Sequence, residues 1–328
     1  MLPCLLHFAL VSSLSGTLVA SNMDAHSVSV VDVASGVAIA TLKTGAGPHE
    51  VAVSNDGSRA VVSIYGNRAS VGSSLMVINL RAPTDAPKII ELGAGNQRPH
   101  GMAFLPDGKR LLVTGERAQR VLLVDVESGA IDSSMSTGQP TTHMVVVTRD
   151  GRQAFTTNIA GKSVSAIDVA SRKIRATFPV GAIIEGIAVT DDGREVWVGG
   201  NDSRRVYVLD GTSGAVLHTI EGFGMPYRIG ITPDRRTAVI SDPTDEKIHL
   251  VDVATHKVRT VVDVPPIDGE AASPQGVTIS PDGATAFVTL KAAGRVAVVD
   301  IASASITGTL RVGAGSDGVG YSALVVKR

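Results

Sequence analysis

The segments GPHEVAVSNDG (47–57), RPHGMAFLPDG (98–108), TTHMVVVTRDG (141–151), IIEGIAVTDDG (183–193), MPYRIGITPDR (225–235) and SPQGVTISPDG (273–283) repeat one pattern through the chain. In each, a variable polar residue precedes a short apolar run, and an Asp follows seven positions later. Asp-Gly between two apolar runs marks a tight hairpin, because Gly accepts a positive φ. The variable positions are His49, His100, His143, Glu185, Tyr227 and Gln275, spaced 42 to 51 residues apart. A period of about 40–50 residues, rich in short strands and turns, is that of a β-propeller blade.

Each repeat reads as four strands. In the third they are expected near 144–148, 153–158, 163–168 and 173–179, separated by RDG (149–151), NIAGK (158–162) and ASR (170–172). The third strand of each unit closes on an apolar-Asp-apolar ending, as in LVDV (123–126), AIDV (166–169) and VVDI (298–301). Residues 17–44 supply only the last three strands of a unit, and GYSALVV (320–326) is expected to supply the missing first one. The expected fold class is all-β: a seven-bladed β-propeller whose ring is closed by a C-terminal strand joining the N-terminal blade, which leaves no open sheet edge around the circle. One domain, 16–328, is expected.

Residues 1–15, MLPCLLHFALVSSLS, are apolar and then small, the pattern of a secretory signal. This implies a periplasmic or secreted protein, with no membrane span once the signal is removed. The single cysteine, Cys4, would leave with it, so the mature chain has no thiolate for a metal, a disulfide or a nucleophile. Lys and Arg number 30 against 31 Asp and Glu, a net charge of −1 that gives no broad positive field for nucleic acid. Aromatics are 3%, too few for a carbohydrate-stacking or base-stacking platform. No phosphate loop, GxSxG, HExxH, CxxC or CxxCH occurs.

The run VSVVDVASGVAIATLKTGAGPHEVAVSNDG (28–57) resembles the YVTN-repeat family of seven-bladed propellers, and the resemblance extends over roughly 17–326. It implies a secreted or periplasmic propeller and leaves the activity open, since one fold hosts many functions. The unit with Pro99-His100-Gly101 also resembles those of streptogramin-lyase propellers, which implies a metal and a catalytic His at the axis.

The variable column falls where the innermost strand starts, so radial blades would gather it into a ring around the axis. His49, His100, His143 and Glu185 become neighbours there. Three imidazoles and a carboxylate suit a divalent transition metal, zinc or another. These four are the expected metal ligands and catalytic residues, the ion acidifying water or polarising a carbonyl. Two other readings fit: metal-free acid–base work by the imidazoles, and a polar channel lining bonded to water. Tyr227, Arg228, Gln275, Glu116 and Asp242 are the expected substrate-binding residues, Arg228 by offering its fork to an anion. Glu50 is expected to point away between blades. Asn22, Asn158 and Lys291 are weaker candidates on loops of the same face. The long loops 65–75, 81–98 and 263–274 are expected to rim that face. His218, His249 and His256 are expected on outer strands or the opposite face.

The combined expectation is a monomeric metal-dependent lyase or lactone hydrolase acting on a small molecule. The alternatives are a non-catalytic scaffold that binds a ligand or protein partner, and a redox subunit.

Overall fold

The computed structural model describes residues 14–326. The expected signal segment lies outside the described residues except for Leu14 and Ser15. Every regular element among the described residues is a strand, and 28 strands form seven four-stranded antiparallel sheets. The third repeat has strands Thr142–Val147, Gln153–Asn158, Ser163–Asp168 and Lys173–Pro179, within two residues of expectation.

The two middle strands of a blade are covered on both faces, so they read as unbroken apolar runs such as RVLLVD. The outermost strand alternates between exposed and at least partly buried positions, as in Lys173–Pro179. The core lies between blades rather than within one. Val61 and Leu75 of one sheet pack with Met102, Phe104 and Leu111 of the next, and six further clusters complete the circle.

In ring order the innermost strands are β28 (Ser316–Ser322), β4 (Pro48–Val53), β8 (Pro99–Phe104), β12 (Thr142–Val147), β16 (Ile184–Val189), β20 (Ile229–Ile231) and β24 (Pro274–Ile279). We number blades 1 to 7 in this order. β28 pairs with β1 (Thr17–Asn22), which closes the ring as expected. It runs four residues earlier than the sequence suggested, from 316 rather than 320. The SDG at 316–318 resembles the turn signature but occupies the start of the strand. Asp317 is therefore the seventh member of the column.

Six of the seven inner strands carry a register shift at the column position and its follower, for example between Pro48 and Val51 and between Pro99 and Met102. A bulge of this kind leaves two residues unpaired and re-aims their side chains. A hydroxyl on the second strand satisfies the freed amide. Ser63 accepts from Glu50 N (3.0 Å), Thr157 from Met144 N (3.2 Å), Thr289 from Gly276 N (2.7 Å) and Ser21 from Gly318 N (2.9 Å). Several of these hydroxyls also donate to the column carbonyl of the next blade: Thr157 to Glu185 O (2.9 Å), Thr289 to Asp317 O (2.8 Å), and Ser21 to His49 O. The ring of column residues is thus stitched blade to blade through buried hydroxyls.

Four followers are glycine because the next blade crowds them. A Cβ on Gly101 would meet Met144 Cα at 2.6 Å, and one on Gly318 would meet His49 O at 2.3 Å. The followers that keep a side chain are Glu50, Met144 and Arg228.

The loop 81–98 does not form one rim. It contains the outer strand Lys88–Glu91, and Arg81–Thr84 line a cavity on the opposite face with Val37, Ala38, Ile39 and Val326. Residues 65–75 are mostly strand rather than loop, since one strand ends at Gly66 and the next opens at Val71, leaving 67–70 as the turn; 263–274 connects an outer strand to the start of β24, beside Gln275. Among the described residues no helix is long and apolar enough to cross a membrane.

Candidate metal centre

Three consecutive blades bring their column imidazoles together. The rings of His49 and His100 lie 4.2 Å apart between centroids, and those of His100 and His143 lie 3.6 Å apart. His100 is 1% exposed, and His49 and His143 are also buried. Burial holds the His49 imidazole below its ordinary pKa, against the pull of Asp317 and Glu50. Burial, with the neighbouring His143, holds His100 well below its own. Both rings are neutral at pH 7, the form that ligates metals.

Two carboxylates join the imidazoles. Glu50 Oε1 lies 3.7 Å from His49 Nδ1 and 4.0 Å from His100 Nδ1. Glu116 Oε2 lies 3.6 Å from His143 Nδ1. The sequence reading sent Glu50 outward between blades; the bulge at His49-Glu50 turns it inward instead. Two trios, His49–Glu50–His100 and His100–Glu116–His143, each gather their ligand atoms within 4.8 Å. Glu185 belongs to neither trio. Its Oε2 faces Arg228 Nη1 at 3.8 Å.

Glu116 is braced from outside. Burial alone would raise its pKa, but His143 and the Tyr65 hydroxyl outweigh burial and hold the carboxyl below its usual range. In return, burial and the Glu116 charge push the Tyr65 phenol up to about 12. Tyr65 also meets the His49 and His100 rings edge-on, and Arg98 lies 4.8 Å over its face.

Arg228 reaches across the axis from blade 6 to blade 2, donating from Nη2 to Glu50 Oε1 at 2.7 Å. It stacks on Tyr227 at 4.3 Å, and although burial opposes its charge, the carboxylates of Glu50 and Glu185 favour the charged form. Asp317 is 1% exposed, receives Lys291 Nζ at 2.9 Å and faces His49 Nδ1 at 3.9 Å. Burial would raise its pKa, but His49, Lys291 and Arg228 together lower it. Sequence reasoning missed Asp317; the Asp-Gly that follows the column in register with His100-Gly101 was the available signal. Gln275 Nε2 donates weakly to Ser273 Oγ (3.4 Å).

Asp242 does not face the funnel, which corrects the expectation. Its carboxylate accepts the amides of Gly224 (2.7 Å), Met225 (2.9 Å) and Asp245 (3.2 Å) and faces buried His249 at 3.4 Å. Its position at a strand end made it a loop cap, with no exposed surface left for a ligand. Asn22 and Asn158 are likewise engaged, each donating to two serines of its own blade. His218 and His256 stack on each other at 3.8 Å, with His256 against Glu195 at 3.1 Å, away from the trios.

The geometry defines a seven-bladed propeller with a ring of imidazoles and carboxylates at one end of its axis. A family model, described as YNCE-like beta-propeller, matches residues 5–195, more than half of the chain, and the chain belongs to that family. No curated protein matches it by sequence. Among solved structures, Kuenenia stuttgartiensis hydrazine synthase superposes with a TM-score of 0.68 at 17% identity, over 77% of this chain and 76% of that one. A functionally unknown protein from Desulfotomaculum acetoxidans DSM 771 superposes at 0.77 with 14% identity, over 94% of this chain and 99% of that one. At these identities the likeness concerns the fold alone.

Proposed function

We propose that the funnel binds a divalent transition metal, zinc or a neighbour in the series, and that the protein uses it to transform a small molecule. The observation that carries this reading is the spacing of buried polar atoms. His100 Nδ1, both nitrogens of His143 and Glu116 Oε2 have no hydrogen-bond partner among the described residues. The Glu116–His143 separation of 3.6 Å is too long for a hydrogen bond. Two ligands at about 2.1 Å from one tetrahedral ion stand about 3.4 Å apart. An orphaned buried group costs about 1–3 kcal/mol, and a shared ion would relieve several at once.

The charges agree. Glu50, Glu116, Glu185 and Asp317 outnumber Arg228 and Lys291 around neutral imidazoles, so a cation is welcome. Two imidazoles and one carboxylate leave a coordination position open, the arrangement of catalytic zinc sites. An ion there would polarise a carbonyl or lower the pKa of a bound water. With an ion on the Glu116 trio alone, His49, beside His100, is placed to accept a proton. Elimination or lactone hydrolysis are the reactions this set would serve.

The test is elemental analysis of protein purified without an affinity tag, beside a His100→Ala, His143→Ala variant. Metal in the first and little in the second supports the centre, after which lyase and lactonase substrates are assayed with and without chelator. Metal in neither, even after reconstitution, removes this reading in favour of a binding scaffold.

A further inference from the structure

We propose that the funnel holds two ions, the second on His49, Glu50 and His100, with His100 shared between them. This rests on the metal reading above and extends it. The two trios are built alike. Each has one flanking imidazole, one carboxylate and the central His100, and they meet only at that ring. His49 and His143 flank His100 from the blades on either side, with centroids at 4.2 and 3.6 Å. A neutral imidazole has one free lone pair and one N–H, so to hold two ions His100 gives up that proton to solvent when the second ion binds, becoming an imidazolate with a lone pair on each nitrogen. His100 is buried, and its Nδ1 has no hydrogen-bond partner among the described residues.

Each carboxylate also has its own brace, as ligating carboxylates do. Arg228 Nη2 holds Glu50 from across the axis at 2.7 Å, and Tyr65 stands beside Glu116. Glu50, Glu116, Glu185 and Asp317 supply four negative charges around the ring, two more than Arg228 and Lys291 neutralise, so the first dication meets more uncompensated charge than the second. Arg228 bonds Glu50 directly and opposes an ion there, whereas the Tyr65 brace on Glu116 is uncharged and Arg98 lies over the face of that ring. Occupancy is therefore sequential: the Glu116 trio fills first and the Glu50 trio second, more weakly.

Copper(II) is the probe, because it binds such nitrogen–oxygen sets most tightly of the first-row dications and its paramagnetism reports proximity. Titrated into metal-free full-length protein, the first equivalent is expected to give an isolated copper signal of full intensity. The second is expected to lower the intensity per copper through coupling across His100. His49→Ala with Glu50→Gln should retain the tighter equivalent and lose the weaker; His143→Ala with Glu116→Gln should lose the tighter. Saturation at one equivalent overturns the two-ion inference and leaves the single-ion centre standing. A second equivalent that adds an uncoupled signal of full intensity also overturns it, by placing that ion elsewhere. No copper bound in the funnel sinks both readings. The titration of the unaltered protein decides the matter even if a variant fails to fold.

Discussion

Replacing Arg228 by Met should destabilise the propeller far more than loss of a surface charge. Met keeps most of the stem and removes the guanidinium, which is 4% exposed and bonded to Glu50, itself 8% exposed. The Glu50 carboxylate would then be buried without its partner. Breaking a buried pair from one side costs about 3–5 kcal/mol, against about 0–1 kcal/mol for an exposed one. For a domain this large each kcal/mol moves Tm by about 2–4 °C, so a fall of roughly 6–20 °C is expected. Adding Glu50→Leu should recover most of the loss, because replacing both members of a buried pair with apolar groups is close to neutral. The assay is thermal unfolding of the two single variants and the double variant in chelator at pH 7, treated as a double-mutant cycle. A single-variant cost below about 1 kcal/mol, or a double variant no better than the summed singles, would refute a desolvated pair across the axis.

Tyr65→Phe removes the hydroxyl beside Glu116, and metal affinity measured by chelator competition should fall by about 10–100-fold while the fold is kept. Gly101→Ala places a Cβ against the backbone at His143-Met144, so a loss of about 1–3 kcal/mol in urea unfolding is expected, with weaker metal binding because His143 moves; unchanged affinity would argue against the His143 ligand. Acid stability follows the turn carboxylates. Hydrogen bonds from Ser54 and Ser58 depress Asp56 to about 2, and its repeat equivalents Asp150, Asp192, Asp234 and Asp282 are also lowered. With folded values below the unfolded ones, this stabilisation is complete above the ordinary carboxylate pKa and disappears as pH falls through the depressed values. Tm should therefore be level above about pH 5 and drop between about pH 4 and 2, and a drop beginning at pH 6 would contradict it.

The fold was legible because a blade repeats its backbone signals, and turn residues at fixed offsets act locally. The column was legible for the same reason: His49, His100 and His143 stand at one register position in three consecutive units, and consecutive units are neighbours. What the repeat could not convey is which way a side chain turns. Glu50 follows a column residue and, by simple strand alternation, should point away; the bulge cancels that alternation. Asp317 was hidden by a turn-like SDG, which reads one way as local chemistry and another way once β28 is paired with β1. Asp242 has the right position and the wrong occupation, since its oxygens are taken by amides that only the folded loop supplies. Loop length likewise misled at 81–98, where a short strand divides what reads as one excursion.

The closing strand β28 contributes more than an edge to blade 1. Asp317 stands beside His49, yet 268 residues separate them along the chain. During vectorial synthesis the imidazoles of blades 2 to 4 emerge long before that carboxylate and its Lys291 partner. A nascent chain therefore carries three neighbouring histidines in a ring that still lacks a wall. The charge pattern of the funnel is complete only when the last strand docks, and a chain stalled earlier would display the imidazoles without the carboxylate that stands beside His49.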